Sequence, residues 1–308
     1  MTRIRELDAL RGFAVGGIML VNTWQHTDKP VRAALDWPME TIFQGRFYPI
    51  FSMLFGISFL LFLRGNSRWA LLCRLFWLFC FGVVQHQFYE GEVLTDYAFY
   101  GAVVLLPATF LAAGLPVLLL GLVAIAWALL PQVGGGVLLI PGLFLVGMGL
   151  WQLRPSRTLL LPGFAASALA TVLLTAAGIG TGNKTVGAVA ALTGAAAFAL
   201  GLLLVLRPRL SAVLEPLGKM ALTNYVSGTA LIVLALPLLD ADPTRWSVVG
   251  LTALTLVAQA RFGRWWLARY QYGPLEWTWR CLTRFRLVPN RLESGRDHNR
   301  PLPDPGVP

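Results

Sequence analysis

Residues 9–25 read Ala9-Leu10-Arg11-Gly12-Phe13-Ala14-Val15-Gly16-Gly17-Ile18-Met19-Leu20-Val21-Asn22-Thr23-Trp24-Gln25. The fold turns on whether this run is a cleaved leader or a membrane helix that stays. Arg3, Arg5 and Arg11 ahead of Gly12 to Trp24 imitate the charged and apolar regions of a signal peptide. No small-x-small cleavage site follows, however, and nine more apolar runs come after it. The run therefore reads as a first membrane helix. Composition agrees: 56% of the 308 residues are hydrophobic, only 13% are charged, and the mean hydropathy is +0.64. A soluble domain carries about a quarter charged residues. That deficit excludes an ordinary cytosolic enzyme, a disordered chain and a nucleic-acid binder. The expected fold is an all-α polytopic membrane protein.

Working outward from that run, breakers and charges delimit about ten transmembrane helices, at 9–25, 47–63, 69–87, 93–112, 115–130, 135–152, 159–178, 185–206, 219–238 and 246–262. Pro116 and Pro131 bracket only a short fifth run, so the fifth and sixth either cross or form a re-entrant pair. The charge pattern orients the set. With a cytoplasmic amino terminus, Lys29, Arg32, Arg46, Lys184 and Arg245 fall outside, and the other 20 of the 25 Lys and Arg fall inside. This asymmetry over short loops is the positive-inside pattern, and it predicts a plasma-membrane protein with both termini cytoplasmic. The net charge of +10 is thus mainly an orientation signal. Residues 1–288 read as one transmembrane domain, and the proline-rich 289–308 as a disordered tail. Cys73, Cys80 and Cys281 show no metal-ligand or disulfide spacing, and no metal is expected.

Polar groups inside spans are costly and so call for a partner or a function. Asp8 and Arg11 share a helix face, either as a boundary ion pair or with Arg11 binding a phosphate that enters from the cytoplasm. Asn22 and His26 share a face one turn apart near the outer end of the same helix. His86 ends the third span and is followed by Glu90, Glu92 and Asp96, the pattern of a general base held by a carboxylate or of a solvated turn. Thr223, Asn224 and Tyr225 make a polar step in the ninth span, suited to lining a cavity or bonding across helices. Beyond the tenth span, Trp and Arg interleave from Arg261 to Arg280, which suits a helix lying in the inner headgroup region.

Several words in order carry a resemblance: Leu7-Asp8-Ala9-Leu10-Arg11-Gly12-Phe13-Ala14, Arg46-Phe47-Tyr48-Pro49-Ile50-Phe51-Ser52-Met53-Leu54-Phe55-Gly56, Gly91-Glu92-Val93-Leu94-Thr95-Asp96-Tyr97-Ala98, Gly218 to Tyr225, and Gly273-Pro274-Leu275-Glu276-Trp277. Together they resemble the YeiB-like bacterial membrane proteins, a domain family of unknown function. That family is in turn distantly similar to transmembrane acyltransferases. The resemblance implies cytoplasmic acyl-CoA as co-substrate, with Arg11, Arg68 and Arg74 facing its phosphates and Asp8 and Asn22 in the binding region. It also implies a histidine serving a hydroxyl or amine acceptor, either a small molecule or a glycan. On this chain the base would be His86 or His26, oriented by Glu90 or Glu92. The rival reading is a transporter or exporter of a small metabolite, peptide or lipid, with Asn224 and Tyr225 on its path. A scaffold for another membrane enzyme is a third. Membrane lipid is the expected surrounding partner, nucleic acid is not expected, and a homo-oligomer is compatible with all three.

Overall fold

The computed structural model describes residues 5–27, 31–89 and 91–292. Those residues are mostly helical, with no strand among them; an isolated bridge joins Tyr270 to Arg291. In chain order the main helices are α1 (Arg5–Gln25), α2 (Phe47–Leu63), α3 (Arg68–His86), α4 (Leu94–Ala108, with a π-helical turn at Gly101–Leu105) and α5 (Leu115–Ala128). They continue as α6 (Leu139–Leu153), α7 (Leu160–Thr181), α8 (Lys184–Val205), α9 (Pro208–Lys219), α10 (Ala221–Asp240), α11 (Trp246–Leu267) and α12 (Pro274–Arg284). A helix occupies each of the ten apolar segments. Six helical stretches, ending in α2, α3, α6, α7, α8 and α10, are long and apolar enough to cross a membrane; α4 and α5 are apolar but shorter. The chain is thus built as a multi-pass membrane protein. Among these main helices, α9 and α12 fall outside the ten segments. Their apolar residues follow helical period among charges, so a search for continuous apolar runs passes over them.

Local chemistry sets the helix ends. The Ser67 hydroxyl accepts from the Ala70 N–H to cap α3, and the Asn183 side chain accepts from Thr185 and Val186 to cap α8. Gly182 closes α7 in the left-handed conformation. Pro lies in the first turn of α5, α9 and α12, where its missing N–H costs nothing. The main core gathers Tyr97, Phe144, Leu71 and Leu105 where α2, α3, α4 and α6 meet. By contrast α7 has no buried residue and turns Leu161, Leu169, Val172 and Leu173 outward, a surface that lipid rather than water can cover.

Two features position the ends of α1. Near its start α1 crosses α9 with the backbones touching, since a Cβ on Gly218 would overlap the Asp8 carbonyl oxygen. At its other end Trp24 Nε1–H donates to Asp36 Oδ1 at 2.8 Å, and Asp36 is ion-paired with buried Arg245 at the start of α11. The carboxyl-terminal segment is ordered further than expected: Gln271 N–H donates to the Asn290 carbonyl at 2.7 Å, and Leu292 N–H to the Arg269 carbonyl at 2.9 Å. Of the tail expected to be disordered, residues 293–308 lie outside the described residues.

Candidate functional site

Along α1, the residues Arg11, Val15, Ile18, Asn22 and Gln25 are spaced by four, three, four and three, so they share one face. That face lines two cavities placed end to end. Arg11 and His26 stand at opposite ends of it, about 22 Å apart at ~1.5 Å rise per residue. The cavities share Ile18, Val93, Tyr97 and Tyr225 as a common wall.

The first cavity, about 240 Å³, has a basic and an apolar part to its lining. Phe51, Phe55, Leu71, Leu75 and Leu78 line the apolar part; Arg11, Arg74, Lys219 and Arg280 supply positive charge, and Glu276 is the acidic residue among them. Arg11 donates to Asp8 Oδ1 at 2.7 Å and to Ser58 Oγ at 2.9 Å, and Lys219 is 3.2 Å from Glu215 Oε2. Arg74 lies over the Trp279 ring, 3.5 Å from its centroid, while Trp279 Nε1–H donates to the Arg74 carbonyl at 2.8 Å. Among the described residues no carboxylate forms an ion pair with Arg74. Helix α12 closes this end. Glu276 accepts from Leu222 N–H (2.7 Å), Thr223 N–H (3.1 Å) and Thr223 Oγ1–H (2.6 Å), which pins α12 to the first turn of α10. Burial raises the Glu276 carboxyl above its ordinary range, and the Thr223 hydrogen bonds oppose this. The lining suits an anion on an apolar stem.

The second cavity, about 410 Å³, has amide and aromatic walls that include Asn22, Gln25, Gln44, Tyr48 and Tyr89. His26 belongs to it. Its Nδ1 lies 2.7 Å from the Asn22 carbonyl oxygen, which can only accept, so Nδ1 carries a proton, and among the described residues nothing bonds to Nε2. The ring stacks on Tyr89 with centroids 4.3 Å apart. Half-buried, fixed in tautomer and orientation, His26 has what a general base needs.

Among the described residues no carboxylate pairs with His86. His86 is exposed at the end of α3 and lines neither cavity. Glu92 is buried but spent on the start of α4, accepting from Leu94 N–H at 2.6 Å, Thr95 N–H at 3.2 Å and the Thr95 hydroxyl. Glu90 lies outside the described residues. Arg68 is exposed, donating to Thr109 and stacking on Phe110 at 4.4 Å, away from the cavity that Arg74 lines. Asn224 is buried in the packing, its amide donating to the Leu217 carbonyl at 2.9 Å, and it too faces no cavity. Asp8, Arg11, Asn22, Arg74, Tyr225 and His26 are the expected residues that this region gathers. Sequence reasoning assigned no role to Glu276, Trp279, Tyr89 or Tyr97. The period of polar and apolar residues along α1 is a readable signal, and Glu276 and Tyr97 lie inside the stretches that carry the family resemblance.

A family model described as "Protein of unknown function (DUF418)" matches residues 145–286. An "Uncharacterized 39.9 kDa protein in amylase 3'region" of Bacillus acidopullulyticus is 32% identical over 348 aligned positions, covering 96% of this chain and 98% of that protein. The chain belongs to the DUF418 family. Residues 145–286 of this DUF418 chain run from α6 to the end of α12, and so carry Lys219, Tyr225, Glu276, Trp279 and Arg280 but none of α1. No solved structure matches the chain.

Proposed function

We propose that this DUF418 chain is an integral membrane acyltransferase. It would cross the plasma membrane about ten times, with both termini cytoplasmic, and move an acyl group from cytoplasmic acyl-CoA to a hydroxyl or amine acceptor. The observation that carries this reading is the end-to-end pair of cavities, one suited to an anionic amphiphile and the other holding a histidine to whose Nε2 nothing bonds among the described residues. Arg11 and Arg74 take the phosphates, the apolar part takes the stem, and His26 accepts the acceptor's proton. Orientation supports it too: the basic residues of the first cavity come from segments that the charge pattern assigns to the cytoplasm, and His26 and its neighbours from segments assigned to the other side.

The test is thiol release by the purified full-length chain offered acyl-CoA donors of several lengths with hydroxyl and amine acceptors. His26→Ala should lower turnover by about 10²–10⁴-fold, the usual worth of a general base, whereas His86→Ala should stay within about twofold of the parent. Absence of thiol release with every donor, or insensitivity to His26→Ala, contradicts the proposal. The shared wall also suits a transport path, and the rival is separated by uptake into sealed vesicles without thiol release.

A further inference from the structure

Tyr225 stands in the wall between the two cavities and lines both. Its hydroxyl is buried and, among the described residues, its O–H donates to no acceptor, although a buried tyrosine hydroxyl is normally paired. The polar groups around it are otherwise engaged or differently placed. Tyr97 Oη is 2.7 Å from Ser52 Oγ, the Glu92 carboxylate caps α4, and the Val93 backbone N–H approaches the Tyr225 oxygen, a contact that leaves the Tyr225 O–H still to be donated. Tyr225 is therefore a hydroxyl held at the meeting point of two cavities and left for something that enters them.

We infer that Tyr225 is a catalytic hydrogen-bond donor to the carbonyl oxygen of a bound acyl thioester. The inference rests on the acyl-transfer reading and deepens it. With the phosphates at the basic part and the stem along the apolar part, the thioester reaches the shared wall, and the acceptor approaches from the His26 side. The acceptor oxygen attacks the carbonyl carbon as its proton passes to His26 Nε2. The carbonyl electron pair moves onto oxygen, where the Tyr225 O–H stabilises it. Collapse of that intermediate re-forms C=O and breaks the C–S bond with its electrons on sulfur. The imidazolium of His26 returns the proton to the thiolate, so the products are the acylated acceptor and free CoA thiol. Tyr225 keeps its own proton throughout.

Two measurements on the full-length chain test this. In the thiol-release assay, Tyr225→Phe keeps the ring and removes only the hydroxyl; kcat should fall about 10²-fold while KM for the donor changes less than about threefold, the signature of a contact made in the transition state. In difference infrared spectra with a carbonyl-labelled acyl-CoA bound, the carbonyl stretch should lie lower in the parent than in Tyr225→Phe. Should Tyr225→Phe not fold, difluorotyrosine at position 225 preserves ring and hydroxyl and makes it a stronger donor, so the stretch should move lower still. Unchanged kcat in an active parent, or a stretch insensitive to both changes, overturns the role of Tyr225 and leaves acyl transfer standing. A parent that releases no thiol with any donor overturns acyl transfer and this role together.

Discussion

A histidine serves as a base only where its free nitrogen can meet a ligand, and His26 and His86 differ in this respect. Both stand near the end of a helix on the same side of the bundle, and both were visible as candidates in the sequence. What spacing left open was the direction in which each side chain turns. The carboxylates after His86 were read as its partners, yet Glu92 is consumed by backbone N–H groups three residues or fewer away, a local bond that outcompetes a distant one. Arg11 and Arg74 were legible as phosphate candidates; that Arg74 lies on Trp279 was not, because 205 residues separate the two in the chain. Since a hydrogen bond to a charged group contributes about 1.5–3 kcal/mol, Arg74→Ala should raise KM for acyl-CoA by about tenfold or more and change kcat far less. Initial-rate kinetics with varied donor check this, and an unaltered KM counts against a phosphate contact at Arg74.

At the scale of helices, apolar runs made the ten hydrophobic segments readable, since in lipid continuous hydrophobicity and helix are nearly one requirement. The amphipathic α9 and α12 escaped that criterion, and α12 closes the basic cavity. Its attachment depends on Glu276, which bonds two backbone N–H groups and the hydroxyl at the start of α10. Because burial raises the Glu276 carboxyl, the folded chain holds that proton more tightly than the unfolded chain. The contribution of this group to stability is therefore greatest at low pH and declines as pH rises from the unfolded value, about 4.3, through the raised folded value. Glu276→Gln preserves an acceptor for the N–H groups and removes the titration. Thermal unfolding in detergent across that window should show the parent losing stability relative to Glu276→Gln as pH rises; parallel curves contradict the assignment.

For the whole molecule, the orientation set by charge and the pair of cavities must agree. If 20 of the 25 basic residues do mark the cytoplasmic side, then in a chain with Cys73, Cys80 and Cys281 replaced by serine, Asn183→Cys reacts with an impermeant maleimide on intact cells. Ser156→Cys should react only after lysis, and the reverse pattern inverts the assignment of both cavities. The cavities themselves were not legible, because each is assembled from helices far apart in the chain and only α1 showed its lining face as a period. The central claim is that one acyl donor occupies the basic cavity with its reactive end at the shared wall. A structure of the full chain with acyl-CoA, determined by electron cryomicroscopy in lipid nanodiscs, tests it most directly. Phosphate density is expected against Arg11 and Arg74, with the thioester beside Tyr225; saturating acyl-CoA that leaves this cavity empty, or binds elsewhere, contradicts the proposal.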